Sequence, residues 1–282
     1  MTAPSTLFPK VRRLGARVTD ACTHLGLQTE FHGKTITSTT EVLRRYRGEL
    51  VRLIAQMSLG TGALAVIGGT VVIVGFLTLS AGSLIAVQGY NSLSSVGIEA
   101  LTGFASAYLN VRLIAPLTAG IGLAATIGAG ATAQLGAMRI NEEIDALEVI
   151  GIRAVAYLAS ARVLAGVLVV VPLYAVAVLM SFLAARVGTT TIYGQSTGVY
   201  DHYFDTFLNP LDLLWSCLTA VAMAIVIMLV HTYYGYTASG GPAGVGEAVG
   251  RAVRASLIAA VLVTLVVTLT VYGQSPDLHL SG

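Results

Sequence analysis

The sequence predicts an all-α integral membrane protein: five transmembrane helices, an N-terminal interfacial elbow helix and a short amphipathic helix on the cytoplasmic side. Three observations carry that prediction. Between Arg52 and Glu99 the chain runs 46 residues without an Asp, Glu, Lys or Arg, whereas a spanning helix needs only about 20 apolar residues. Four more apolar blocks of comparable length follow. Hydrophobic residues make up 55% of the chain and charged residues 11%, with a mean hydropathy of +0.79, well outside the range of soluble domains.

Residues 1–37 read as a cytoplasmic arm. Residues 1–41 hold no apolar h-region and no small-residue cleavage site, so the first span is expected to serve as its own targeting signal. Over residues 38–59 Ser38 and Glu41 form a capping box. Val42, Tyr46, Leu50, Leu53, Ile54 and Met57 then recur at helical spacing, with Arg44, Arg45, Arg47 and Arg52 outside the stripe. Such a helix is expected in the interface, its apolar face among acyl chains and its arginines toward anionic headgroups. An ordinary basic flank would need neither cap nor periodicity.

Residues 60–273 contain spans at about 60–87, 110–137, 157–186, 212–233 and 254–273, leaving 274–282 as an outer tail. The connections 88–109 and 187–211 and the tail carry no Lys or Arg. The first 59 residues hold nine of the sixteen basic residues, 138–156 holds Arg139 and Arg153, and 234–253 holds Arg251. The positive-inside rule therefore places the N-terminus in the cytoplasm and the C-terminus outside an inner (plasma) membrane.

The second span carries Gly120, Ala124 and Gly128 at four-residue spacing, which suits either close helix packing or the wall of a lipid path. Gly128, Gly130 and Ala133 also fit a loose dinucleotide fingerprint with Glu148 downstream. That reading fails, because the fingerprint needs a strand and an accessible turn rather than a charge-free apolar helix.

After this span comes AQLGAMRINEEIDALEVIGI, Ala133 to Ile152. Asn141 is placed to cap a helix whose first turn holds Glu142 and Glu143, where carboxylates favour the helix dipole. Gly151 is placed to end it. Ile140, Ile144, Leu147 and Ile150 form the expected apolar face, and Glu142, Asp145 and Glu148 the polar one. Acidic residues should avoid an anionic leaflet, so a protein groove is the expected host.

On the outer side Tyr200, Tyr203, Phe204 and Phe207 fall at helical spacing and predict a short interfacial helix that docks a partner. Asp201, His202 and Asp205 beside them read as part of an aromatic belt rather than a metal site, and no metal is expected. His231 with Tyr233, Tyr234 and Tyr236 reads as a belt at the cytoplasmic interface. Arg162, Arg186, Asp212 and Arg254 read as snorkelling groups at span ends. Arg112 stands out, with Glu99 as its expected partner. Cys22 and Cys217 have no metal-like spacing, and no basic stripe supports nucleic-acid binding.

The segment Ala133 to Ile152 resembles the signature of the MlaE/YrbE permeases, A-E-L-G-T-M-R-V-x-E-x-I-D-A-L-E-V-M-G-I. GYTASGGPAGVGEAVGRAV, Gly235 to Val253, is similar to that family's G-G-x-x-G-V-G-x-A loop. The resemblance covers roughly residues 42 to 273. Gln134 stands where many homodimeric relatives have Glu, Ile121 where they have Arg, and Arg251 near their T-x-A-V. These departures resemble the actinobacterial YrbE branch, in a B-type paralogue. The resemblance implies the permease subunit of an ATP-driven lipid importer for fatty acids, mycolic acids or sterols. Its implied partners are a paralogous permease in a heterodimer, a cytosolic ABC ATPase dimer that holds the ATP and magnesium, and Mce proteins outside. It also implies that Asn141, Glu142, Glu143, Ile144, Asp145, Leu147 and Glu148 form a coupling helix seated on the ATPase. This chain would carry no cofactor and no catalysis, in keeping with the lack of a G-x-x-x-x-G-K-[ST] sequence. The rival readings are an intramembrane lipid-modifying enzyme, which would need clustered ionisable groups at membrane depth, and a secondary transporter, which would show an inverted repeat.

Overall fold

The computed structural model describes Thr23, residues 26–59 and residues 69–272. Most of the predicted arm, the start of the first predicted span and the outer tail lie outside the described residues. Within them the chain is helical, in the order α1 (26–37), α2 (Thr39–Arg45), α3 (Arg47–Leu59), α4 (Gly69–Ser94), α5 (Glu99–Ile140), α6 (Glu143–Val149), α7 (Val155–Ile192), α8 (Thr197–Phe207), α9 (Pro210–Tyr236) and α10 (Gly241–Val271). Five of these, α4, α5, α7, α9 and α10, are long and apolar enough to cross a membrane.

The core is built around α7 and α9. Helix α4 packs along α7, α7 along α9, and α10 along α9, while α5 crosses α9 and α10. With lipid as solvent, burying apolar area against protein adds little, and close backbone approach with dispersion contact dominates. Gly82 illustrates this at the α4–α7 crossing, where a Cβ would overlap the Ser181 carbonyl. Wide π-type turns occur at 110–114 and 123–128 in α5. Pro116 lies just beyond the first of these. It has no N–H to donate and its ring crowds the carbonyl four residues earlier, which a π-type turn relieves.

Several boundaries differ from those the sequence predicts. The expected outer connection 88–109 shrinks to residues 95–98, because α4 runs to Ser94 and α5 begins at Glu99. The glycine-rich loop expected over 234–253 is mostly helix: Gly240 and Gly241 take positive φ of 89° and 69°, and α10 then starts with Pro242 in its first turn. The single charges that mark the predicted ends sit within continuing helix, where a paired or interfacial charge breaks no backbone hydrogen bond.

The interfacial helix is also corrected. Ser38 makes no side-chain cap and sits with helical backbone angles, and Glu41 instead accepts from Arg153 Nη1 at 2.7 Å. Val42, Leu50 and Leu53 are buried with Ala161 and Ala165 of α7, with Tyr46, Ile54 and Met57 packed around them. The apolar stripe therefore faces α7 rather than acyl chains, while Arg44, Arg45, Arg47 and Arg52 stay exposed.

Candidate functional site

At the end of α5 the chain turns through Asn141 and Glu142. Asn141 closes α5 rather than capping α6, and its Nδ2 donates to Glu143 Oε1 at 3.4 Å. Glu142 is the first residue of the new helix's cap, with φ 60°, a left-handed backbone that a non-glycine residue adopts at a cost of about 1–2 kcal/mol. This corner turns α6 away from α5.

Three contacts fix α6 in its new direction. Arg139 Nη1 donates to Asp145 Oδ1 at 2.7 Å, Tyr236 Oη at the end of α9 donates to Glu148 Oε1 at 3.2 Å, and Ile144 is fully buried with Leu135, Ala154 and Leu158. Leu147 packs on the edge of that cluster. At its C-terminus Gly151 takes φ 82°. The Ile152 N–H then reaches Leu147 O at 3.0 Å and the Gly151 N–H reaches Glu148 O at 3.0 Å, the paired closure that satisfies the last carbonyls.

The face that α6 offers outward differs from the predicted one. Ile144 and Leu147 belong to the protein's own core, whereas Val149 is 87% and Ile150 70% exposed. Around this apolar tip stand the exposed carboxylates of Glu142, Glu143, Asp145 and Glu148. The helical wheel carries the missed signal: Val149 lies five residues, about 140°, from Ile144, so it had to point away from the inward stripe.

Helix α1, read from sequence as part of an arm, packs beside this corner. The Phe31 ring lies 5.6 Å from Tyr233 and 5.3 Å from Tyr236, and Ser160 Oγ in α7 donates to Thr35 O at 2.8 Å. Lys34 and Ser38 face Glu148 and residues 151–156 across an open groove of about 500 Å³.

On the opposite end of the bundle, α8 turns its aromatic residues inward. Tyr200 is buried, its carbonyl against Gly103 of α5, and burial raises its phenol to about 12. Phe204 meets Phe182 at 4.8 Å and Phe207 meets Phe104 at 4.7 Å, while Tyr203 is half-buried. The predicted docking residues Tyr200, Phe204 and Phe207 thus anchor α8 to its own chain. Asp201 receives both Arg186 Nε and Nη2 at 2.8 Å, and that guanidinium holds its carboxyl below the ordinary range. No cluster of three metal-ligating side chains occurs among the described residues. Arg112 pairs with Asp212, not Glu99, at 2.8 Å and lies 4.1 Å over the Tyr108 ring.

Gly120, Ala124 and Gly128 form a seam inside the chain. Gly120 faces Met223 and Gly128 the His231 ring, both on α9, with Ala124 fully buried between them. His231 is not in an interfacial belt. It is buried, with Nδ1 2.7 Å from Thr132 Oγ1 of α5 and Nε2 3.0 Å from Ser256 Oγ of α10. Arg162 does not snorkel either, being 4% exposed.

The family model described as Permease MlaE matches residues 59–270. A probable ABC transporter permease protein of Rickettsia bellii (strain RML369-C) is 26% identical over 185 residues, covering 62% of this chain and 68% of the relative. Protein TRIGALACTOSYLDIACYLGLYCEROL 1, chloroplastic, of Arabidopsis thaliana is 25% identical over 167 residues, 59% of this chain and 48% of the relative. A probable ABC transporter permease protein of Synechocystis sp. is 24% identical over 137 residues, 49% and 52% respectively.

Proposed function

Since the chain belongs to the MlaE permease family and is thereby a multi-pass subunit of an ABC-type transporter, we propose that it moves lipid across the inner membrane on energy supplied by a separate cytosolic ATPase. The observation that carries this reading is α6: a braced helix that projects an apolar tip rimmed by exposed carboxylates. A rigid protruding helix with an apolar anchor and charged rim is what a protein groove recognises. The plant relative is named for a glycerolipid, which accords with lipid as cargo. The finer reading, from the departures at Ile121, Gln134 and Arg251, is a YrbE subunit of the B type. It would pair with a paralogous permease and receive lipid from Mce proteins outside, importing fatty acids, mycolic acids or sterols.

The test is co-expression with an ABC ATPase and a paralogous permease from the same organism. All three should copurify, and the reconstituted complex should move a labelled lipid only with ATP. Isolation of the chain without any ATPase, from cells that express one, would overturn the reading.

Orientation follows from the connections that carry basic residues, 138–156 and 234–253 among them. A cysteine replacing Ser196, before α8, should react with an impermeant maleimide in intact cells, and one replacing Ser239 only after the membrane is opened. Equal labelling of the two would refute the N-in, C-out arrangement.

A further inference from the structure

Arg162 is a buried cation whose hydrogen-bonding capacity is mostly unused. Nη1 donates to Leu158 O at 3.1 Å, Nη2 reaches Gln134 Oε1 only at 3.5 Å, and Nε has no partner. The carboxylate that bears on it electrostatically is Glu49. That group is already held by Arg52, through Nη2 at 2.6 Å and Nε at 2.9 Å. Arg52 is exposed to solvent, so Glu49 is divided between a hydrated guanidinium and the buried one. Desolvating an ion is costly unless an opposite charge compensates it, and the buried Arg162, with its Nε unpartnered, has a donor left for one more anion.

Gln134 also lines a cleft of about 360 Å³ between α3, α4 and α5, within the range of about 300–1,000 Å³ typical of small-molecule sites. Its walls are Leu53, Met57, Ile73 and Ile127, with Gln56, Thr70 and Thr126 as polar points. At Gly130 the cleft is open, since a Cβ there would meet nothing within 4 Å. This largely apolar cleft reaches Arg162 through Gln134, which lines the cleft and meets Arg162 Nη2.

We propose that this cleft binds a single-chain amphiphile with a monoanionic head, a long-chain carboxylate, its chain between α3, α4 and α5 and its head received at the Gln134 end by Arg162. The planar guanidinium matches a carboxylate by paired hydrogen bonds, and the unpartnered Arg162 Nε is a donor available for one. The proposal rests on the reading as a lipid permease in taking its occupant from lipid, and it adds a defined acid-selective site to that reading.

The test uses the purified complex in phosphatidylcholine nanodiscs at alkaline pH, irradiated with diazirine-bearing palmitate or with its neutral amide, and mapped by peptide mass spectrometry. Palmitate should label the α3 and α5 peptides that flank the cleft, at least tenfold more than the amide. Arg162→Met should remove that preference and leave amide labelling unchanged. Gly130→Leu, which fills open space, should abolish labelling by both probes, and it decides the matter if Arg162→Met fails to accumulate. Equal labelling of the wild type by both probes, labelling away from the cleft, a diazirine-bearing phosphatidylglycerol outcompeting palmitate, or undiminished labelling of Gly130→Leu would each overturn the proposal. ATPase copurification is scored in the same preparations. Its loss with labelling intact fells the permease reading alone, and its retention without labelling fells the site alone.

Discussion

Ala124→Trp, or Gly128→Leu, is expected to cut the yield of folded, monodisperse protein at least tenfold, before any question of transport arises. Ala124 is fully buried, and a Cβ at Gly128 would already sit 2.6 Å from His231 Cδ2. Overfilling a packed interior typically costs about 1–3 kcal/mol, and more where neighbours cannot yield. Here the neighbour is a ring held at both nitrogens by Thr132 and Ser256. Size-exclusion profiles and thermal stability of the purified variants measure this. A monodisperse Ala124→Trp protein of unchanged stability that still fails to transport would instead return these positions to the lipid path.

The second large effect concerns α6. Val149→Asp combined with Ile150→Asp should leave the fold intact yet lower ATPase recovery about thirtyfold or more, since an interface anchor is worth at least about 2 kcal/mol and a charge in its groove must be desolvated. Ile144→Asp should behave differently. Its side chain lies among Leu135, Ala154 and Leu158, so it should unfold the corner itself and lower stability. Pull-down and melting measured on both variants separate the two. Normal ATPase recovery by the Val149/Ile150 double variant would remove the tip from the interface.

The contrast between these two faces shows what was legible in the sequence. The five spans follow from run lengths of apolar residues, because lipid excludes unpaired backbone and charge alike. The existence of α6 follows from its acid-rich first turn and Gly151. What local pattern could not supply was the identity of an apolar partner. Leucine is as content beside acyl chains as beside another helix, so the stripe Val42, Leu50, Leu53 reads alike whether it meets lipid or, as it does, α7. The same ambiguity left Gly120, Ala124 and Gly128 open between cleft and seam, and turned Tyr200 outward in prediction when it faces inward in fact. Pairings over long separations, Arg112 with Asp212 or Arg153 with Glu41, leave no periodic trace at all. A charge near a span end therefore reads as snorkelling until its partner is known.

The mounting of α6 has a mechanical meaning. It is clamped to the end of α5 through Arg139 and Asp145, to the end of α9 through Tyr236 and Glu148, and to the start of α7 through Ile144 against Ala154 and Leu158. A beam fixed at three supports does not pivot about any one of them. Force applied at its tip is shared among α5, α7 and α9, and the stiff Glu142 corner denies it a hinge at which to dissipate. Displacement of α6 by a few ångströms would therefore be felt as a tilt of that three-helix block relative to α4 and α10.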